Sequence, residues 1–247
     1  MDRLVYVAMS GAKETLRAQA SNNHNLANAN TNGFRADLSA FQTQSVAGAG
    51  LPSRAYATSD STGWDSSSGS LDATGRDLDV AIKGPGWIAV QAGDGTEAYT
   101  RAGDLRTDPS GALLTATGNT VLGDSGPITV PPYSSIHIGG DGSVSIVTRG
   151  QTAMTISTVG RIKLVNPPAS ELTRGSDGLF RTNTGTEASP DATVHLISGT
   201  LESSNVNIAE TMANMIELAR SYDMQLKSMK SAEDNDASST KLLQASG

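Results

Sequence analysis

No cysteine occurs among the 247 residues, which excludes disulfides, thiolate metal sites and thiol nucleophiles. Aromatic residues make up only 4% and hydrophobic residues 37%, both low for a compact enzyme of this size. No stretch approaches the roughly 20 consecutive apolar residues that a membrane span needs. Basic runs are missing as well, and the formal net charge is −7, so a phosphate-binding face for nucleic acid is not expected. Leu4–Ala12 is a short apolar run, and Ala18-Gln19-Ala20 resembles a small-residue cleavage site. Ser10 and Gly11 interrupt the run, Asp2 precedes it and Lys13, Glu14 and Arg17 follow, a poor pattern for a cleaved signal peptide.

Proline and glycine are unevenly spread. All nine prolines lie between Pro52 and Pro190, and 21 of the 26 glycines fall between residues 51 and 200. Because both residues break helices, long helices belong at the two ends of the chain and not in its middle. At the C-terminal end, Ile208, Met212, Met215, Ala219, Tyr222, Leu226 and Met229 alternate in spacings of four and three. That averages 3.5 residues, the coiled-coil period. The N-terminal end repeats the pattern with Val5, Met9, Ala12, Leu16, Gln19, Asn23 and Leu26. Gln19 and Asn23 would set register and partner choice at some cost in stability. The two seams predict terminal helices that pack together and also contact neighbouring subunits. A helix from about Asn205 to Leu243 would be roughly 58 Å long, and Ser203, Ser204 and Asn205 offer its N-cap.

Residues 44–70 are rich in Ser and Gly and read as a flexible linker. From Leu71 onward short alternating runs and turn dipeptides predict an all-β domain. Gly93-Asp94-Gly95, Asp108-Pro109-Ser110-Gly111 and Gly139-Gly140-Asp141-Gly142 mark its hairpins. The fold class is therefore α+β, divided as 1–43 (helix and turn), 44–70 (linker), 71–200 (β domain) and 201–247 (long helix).

Catalytic patterns are sparse. His24, His137 and His195 are isolated, without HxH, HxxxH or HExxH spacing. Asp77 and Asp79 flank Leu78 and fit the solvent side of a half-buried strand better than an acid–base pair. Gly84-Pro85-Gly86 lacks the Lys-Ser/Thr and the helix of a phosphate loop. No enzyme activity, cofactor or metal is expected.

Three segments together resemble the flagellar rod and hook family. The first is Asn22-Asn23-His24-Asn25-Leu26-Ala27-Asn28-Ala29-Asn30-Thr31-Asn32-Gly33-Phe34-Arg35, with Asn28, Gly33 and Phe34 as its turn. The second runs from Gly75 to Trp87 and on through Tyr99–Leu105 and Gly118–Gly123; the third is Gly199–Asn207 leading into Met212 and Met215-Ile216-Glu217. Trp87-Ile88 stands where the family usually has Phe-Phe, and Leu105 where an aromatic is usual. The resemblance implies a structural subunit of the basal-body rod that self-assembles helically and transmits torque. It implies passage through the flagellar type III export apparatus without signal cleavage, a periplasmic site, and other proximal and distal rod subunits as partners. Nucleic-acid binding and membrane insertion are not implied. Length and the opening residues favour a proximal over a distal position. A secreted β-rich binding module or a polysaccharide hydrolase is the rival from another class, and neither accounts for the paired terminal heptads.

Overall fold

The computed structural model describes residues 2–45, 55–149 and 156–245. The chain divides into two compact units. One comprises Met1–Ala29, Ala36–Asp65 and Val206–Gly247; the other comprises Asn30–Arg35 and Ser66–Asn205. The backbone passes between them four times, which no simple reading of the sequence in consecutive blocks predicts.

In the helical unit, α1 spans Asp2–Ala27 and α2 spans Ile208–Ala245. Both segments are proline-free, and α1 carries a single interior glycine, Gly11, which costs about 1 kcal/mol against alanine. α2 begins three residues later than expected. Its first free N–H groups, on Ala209 and Glu210, donate to Asn207 Oδ1 at 3.1 and 3.3 Å, so Asn207 and not Asn205 is the cap. The helices run antiparallel: Asn22 lies against Thr211, and Gly11 against Gln225.

Where the sequence reads as helix, turn and linker, residues of this unit form two strands, β1 (Asp37–Ser45) and β2 (Ala55–Trp64). They pair antiparallel, with Asp37 opposite Trp64 and Ser45 opposite Ala55, and pack along α1. The linker expectation rested on Ser and Gly content. Backbone pairing does not need apolar side chains, and Thr and Tyr in this run favour strand. Residues 46–54 of that linker lie outside the described residues.

The β unit is built on a nine-stranded antiparallel sheet whose centre is the strand Trp87–Gln91, paired with Glu97–Thr100 on one side and Thr120–Gly123 on the other. A three-stranded sheet, Tyr133–Ile138, Ser143–Thr148 and Ile156–Arg161, accompanies it. All three expected turns are present, linking Trp87–Gln91 to Glu97–Thr100, Leu105–Thr107 to Leu113–Thr115, and Tyr133–Ile138 to Ser143–Thr148. The strand Trp87–Gln91 was expected to alternate, yet Trp87, Ile88, Ala89 and Val90 are all buried. A central strand covered on both faces loses its polar side. Asp79 departs from expectation too: it is buried, accepting from Thr74 Oγ1 at 2.7 Å and pairing with Arg76 at 3.2 Å. The core is Val, Ile and Leu, with Val80, Ile88, Val90, Leu105, Leu113 and Val121 fully enclosed.

Aspartates cap the turns of this unit. Asp94, Asp108, Asp141 and Asp191 accept from the hydroxyls of Thr96, Ser110, Ser143 and Thr193, which hold their carboxyls below the usual range. Arg181 does the same for Asp177. This is the Asx-turn chemistry that makes Asp favourable there.

Candidate assembly site

The buried stripe of α1 consists of small and polar side chains: Ala8, Ala12, Thr15, Ala18 and Asn22. Across from it, α2 buries or half-buries Thr211, Met215, Leu218, Tyr222, Gln225, Met229, Ala232 and Asp236, again spaced by four and three. Small residues on one helix let the other approach closely. A Cβ added at Gly11 would already sit 3.0 Å from the Gln225 amide. Asn22 spans the pair, its Nδ2 donating to the Thr211 carbonyl at 2.8 Å in a buried setting.

The two sequence-predicted seams split on this geometry. Ala12 is buried, and Val5, Gln19, Leu26, Met215, Tyr222 and Met229 are half-buried. Met9 and Leu16 stand 49% and 47% exposed, and Asn23 and Ala219 are exposed as well. Ile208, Met212 and Leu226 are 44%, 50% and 42% exposed. On α2 alternate positions of the buried face fall one residue before the spaced ones: Thr211, Leu218 and Gln225 stand next to Met212, Ala219 and Leu226. The expectation followed an alternating spacing of four and three, whereas the buried face of α2 lies against the alanines of α1. The Ala8-x-x-x-Ala12 spacing was the available signal. Ile208, Met212, Ala219 and Leu226 form a second apolar stripe on α2, exposed among the described residues.

The turn motif is distributed as follows. Asn28 ends α1, its N–H bonded to the carbonyls of His24 and Asn25 and its Nδ2 donating to His24 O at 2.9 Å. Asn28 ends the helix without left-handed backbone; among the described residues only glycines have positive φ. Gly33 does, at φ 69°, and a Cβ there would lie 2.3 Å from the Arg101 carbonyl carbon. Phe34 is buried under the Arg174 guanidinium, 4.2 Å from the ring centre, and Arg174 also lies over Phe180 at 5.3 Å. Trp87 in turn packs on Phe180 at 4.5 Å between ring centres. Arg174 thus bridges the rings of Phe34 and Phe180, and Trp87 extends the cluster by ring packing on Phe180.

Of the histidines, His24 pairs with Asp37 at 2.6 Å, and His137 and His195 are exposed. Among the described residues there is no cluster of three or more metal-ligating side chains, and no helix long and apolar enough to cross a membrane.

Two family models match. Residues 81–146 match the flagellar hook protein FlgE/F/G D1 domain, and residues 197–242 match the flagellar basal body rod FlgEFG protein C-terminal region. The flagellar basal-body rod protein FlgF of Escherichia coli is 44% identical over the full length of both chains. The chain belongs to the flagellar rod and hook family. The Salmonella typhimurium FlgF rod protein is 42% identical, again over both full lengths. The FlgG rod protein of Bacillus subtilis is 32% identical over 95% of this chain and 96% of its own. As a rod-family member the chain is a structural subunit of the flagellar basal body. The C-terminal family match covers most of α2 and the segment leading into it, and so includes the exposed apolar stripe.

Proposed function

We propose that this chain is a subunit of the proximal rod, self-assembling helically through its two terminal helices so that the assembled shaft transmits torque. The carrying observation is the apolar stripe Ile208, Met212, Ala219 and Leu226, exposed on α2 beside a helix pair in which α1 buries only small and polar side chains among the described residues. In a tube wall such stripes would be closed by neighbouring copies, and by adjoining rod subunits at either end, through heptad-type packing. Close-packed interfaces of that kind deform little under load, which suits a drive shaft. Before assembly the chain passes the flagellar export apparatus without signal cleavage and reaches the periplasm.

The test is genetic. Cells lacking the chain should be non-motile, with rings present but no completed rod or hook. Complementation with Met212→Asp plus Leu226→Asp should fail, because carboxylates in a dry contact must be desolvated at a cost of several kcal/mol. Glu217→Ala plus Lys230→Ala should swim, since exposed charges contribute about 1 kcal/mol or less. Swimming deletion cells with complete rods would remove the assignment. Images of basal bodies carrying a labelled subunit would separate a proximal from a distal position.

A further inference from the structure

The β unit exchanges backbone with the helical unit at four points, next to residues 30, 35, 66 and 205. Within the β unit these ends converge on one side chain, Glu202. Its Oε1 is ion-paired with Arg35 Nη2 at 2.7 Å and accepts from the Gly69 N–H at 3.1 Å, while Oε2 accepts from Arg101 Nε at 2.7 Å. Backbone bonds tie the same segments: Gly33 N to Glu202 O at 2.8 Å, Ser203 N to Ser70 O at 2.8 Å, and Asn205 N to Phe34 O at 3.3 Å. Arg35 Nη1 also donates to the Ser67 carbonyl at 2.6 Å, and Asn205 Nδ2 donates to that carbonyl at 3.0 Å. Contact is close enough that a Cβ on Gly69 would lie 2.0 Å from the Ser203 oxygen.

This is a dry site. The Arg35 and Glu202 side chains are 0% exposed and Arg101 is 4% exposed. Charges are costly there, and an apolar trio of similar volume would commonly be as stable or more so. Stability alone therefore does not account for them. A guanidinium fork does what an apolar group cannot: it reaches two acceptors in fixed directions at once, here the carboxylate and the Ser67 carbonyl. The second positive charge is placed on carbonyls as well, Arg101 Nη2 donating to Gly84 O at 2.7 Å.

We propose that Glu202 is a positioning residue that holds the three segments 30–35, 66–70 and 199–205 in one register, so that all four backbone crossings leave the β unit from one fixed place. The partners lie 133 and 167 residues away along the chain, so the register forms only when both ends of the unit are folded together.

Hydrogen exchange on the full-length Glu202→Gln chain tests this. Amides of residues 31–35 and 66–70 should exchange about tenfold faster or more, the scale of one lost buried hydrogen bond. Amides of Trp87–Gln91 and Thr120–Gly123 should keep their protection, and cells carrying the variant should lose swimming. Unchanged exchange at the junction overturns the proposal. So does uniform acceleration across the β unit, which would make Glu202 a core stabiliser only, and so does normal swimming. Should that variant fail to fold, Arg35→Lys keeps a positive charge but cannot bridge both acceptors. It should release residues 66–70 selectively, and uniform release or none overturns the proposal equally.

Discussion

The two units of this chain bury different things. In the β unit the enclosed side chains are Val, Ile, Leu and aromatic residues, and its largest apolar groups are almost all inside. In the helical unit the apolar side chains buried among the described residues are Ala8, Ala12, Ala18 and Ala232, joined by Glu14, Thr15, Asn22 and Thr211. Among the described residues, nine of the eleven large hydrophobic side chains that stand exposed belong to that unit, among them Tyr6, Met9, Leu16, Met212, Ile216 and Met224. At about 25 cal/mol per Å² of apolar burial, alanines contribute little against the entropy of ordering two long helices. That contrast is what the proposed assembly through the helical unit rests on: its large apolar groups are exposed, while those of the β unit are enclosed.

The sharpest break of that contrast compares two leucines. Leu105→Ala, in the closed core, should cost about 2–5 kcal/mol of stability in thermal or denaturant unfolding. Leu226→Ala should stay within about 0.5 kcal/mol in the isolated chain and yet impair swimming. Equal destabilisation by both would show that the helical unit has a sufficient core of its own.

Gly33→Val comes next. A β-branched residue at φ 69°, against the Arg101 backbone, should cost about 1–3 kcal/mol, read as a lower melting temperature of the β unit with α-helical circular dichroism retained. Unaltered melting would place the strain of this turn elsewhere. Asn22→Ala is the corresponding cut in the helical unit. Losing its buried bond to Thr211 should cost about 0.5–1.5 kcal/mol. Protease cleavage within α1 and α2 should then quicken, while a fragment near residues 66–205 stays protected.

The smallest effects, site by site, lie in pH. Asp94, Asp108, Asp141, Asp177 and Asp191, all in the β unit, have folded-state pKa values below the ordinary Asp value. The stability they contribute is complete above about pH 4 and is lost as pH falls through those lowered values. Burial, more than the neighbouring Glu97, pushes the Tyr99 hydroxyl up to about 12. Its contribution is intact below about pH 10 and falls as pH rises toward 12. Melting of the β unit followed from pH 7 to 3, and from pH 8 to 12, should decline at both ends. Asp141→Asn should flatten part of the acid limb, and a limb unchanged by it would remove that turn from the account.

Much of this organisation was legible beforehand because it depends on local chemistry. The absence of Pro and the scarcity of Gly at the ends announce α1 and α2, since helix propagation is decided residue by residue. The turns at Gly93–Gly95, Asp108–Gly111 and Gly139–Gly142 were readable because Asp and Gly are favoured there for their own backbone and side-chain reasons. Of the residues singled out by spacing on α2, Met215, Tyr222 and Met229 are half-buried. The β1–β2 pair was not legible: its stability rests on backbone bonds to a partner and on packing along α1, neither of which leaves an apolar pattern.

The sequence by itself determined where helices can run, where the chain must turn, that no thiol chemistry exists, and the family to which the three motifs point. Only the tertiary structure decided which face of α2 turns inward. That choice depended on the shape of the alanine stripe opposite, and periodicity cannot distinguish two adjacent faces of one helix. It alone also brought Arg35, Gly69, Arg101 and Glu202 together. A buried charge is stable only where its partners are, and those partners are supplied by segments far apart along the chain.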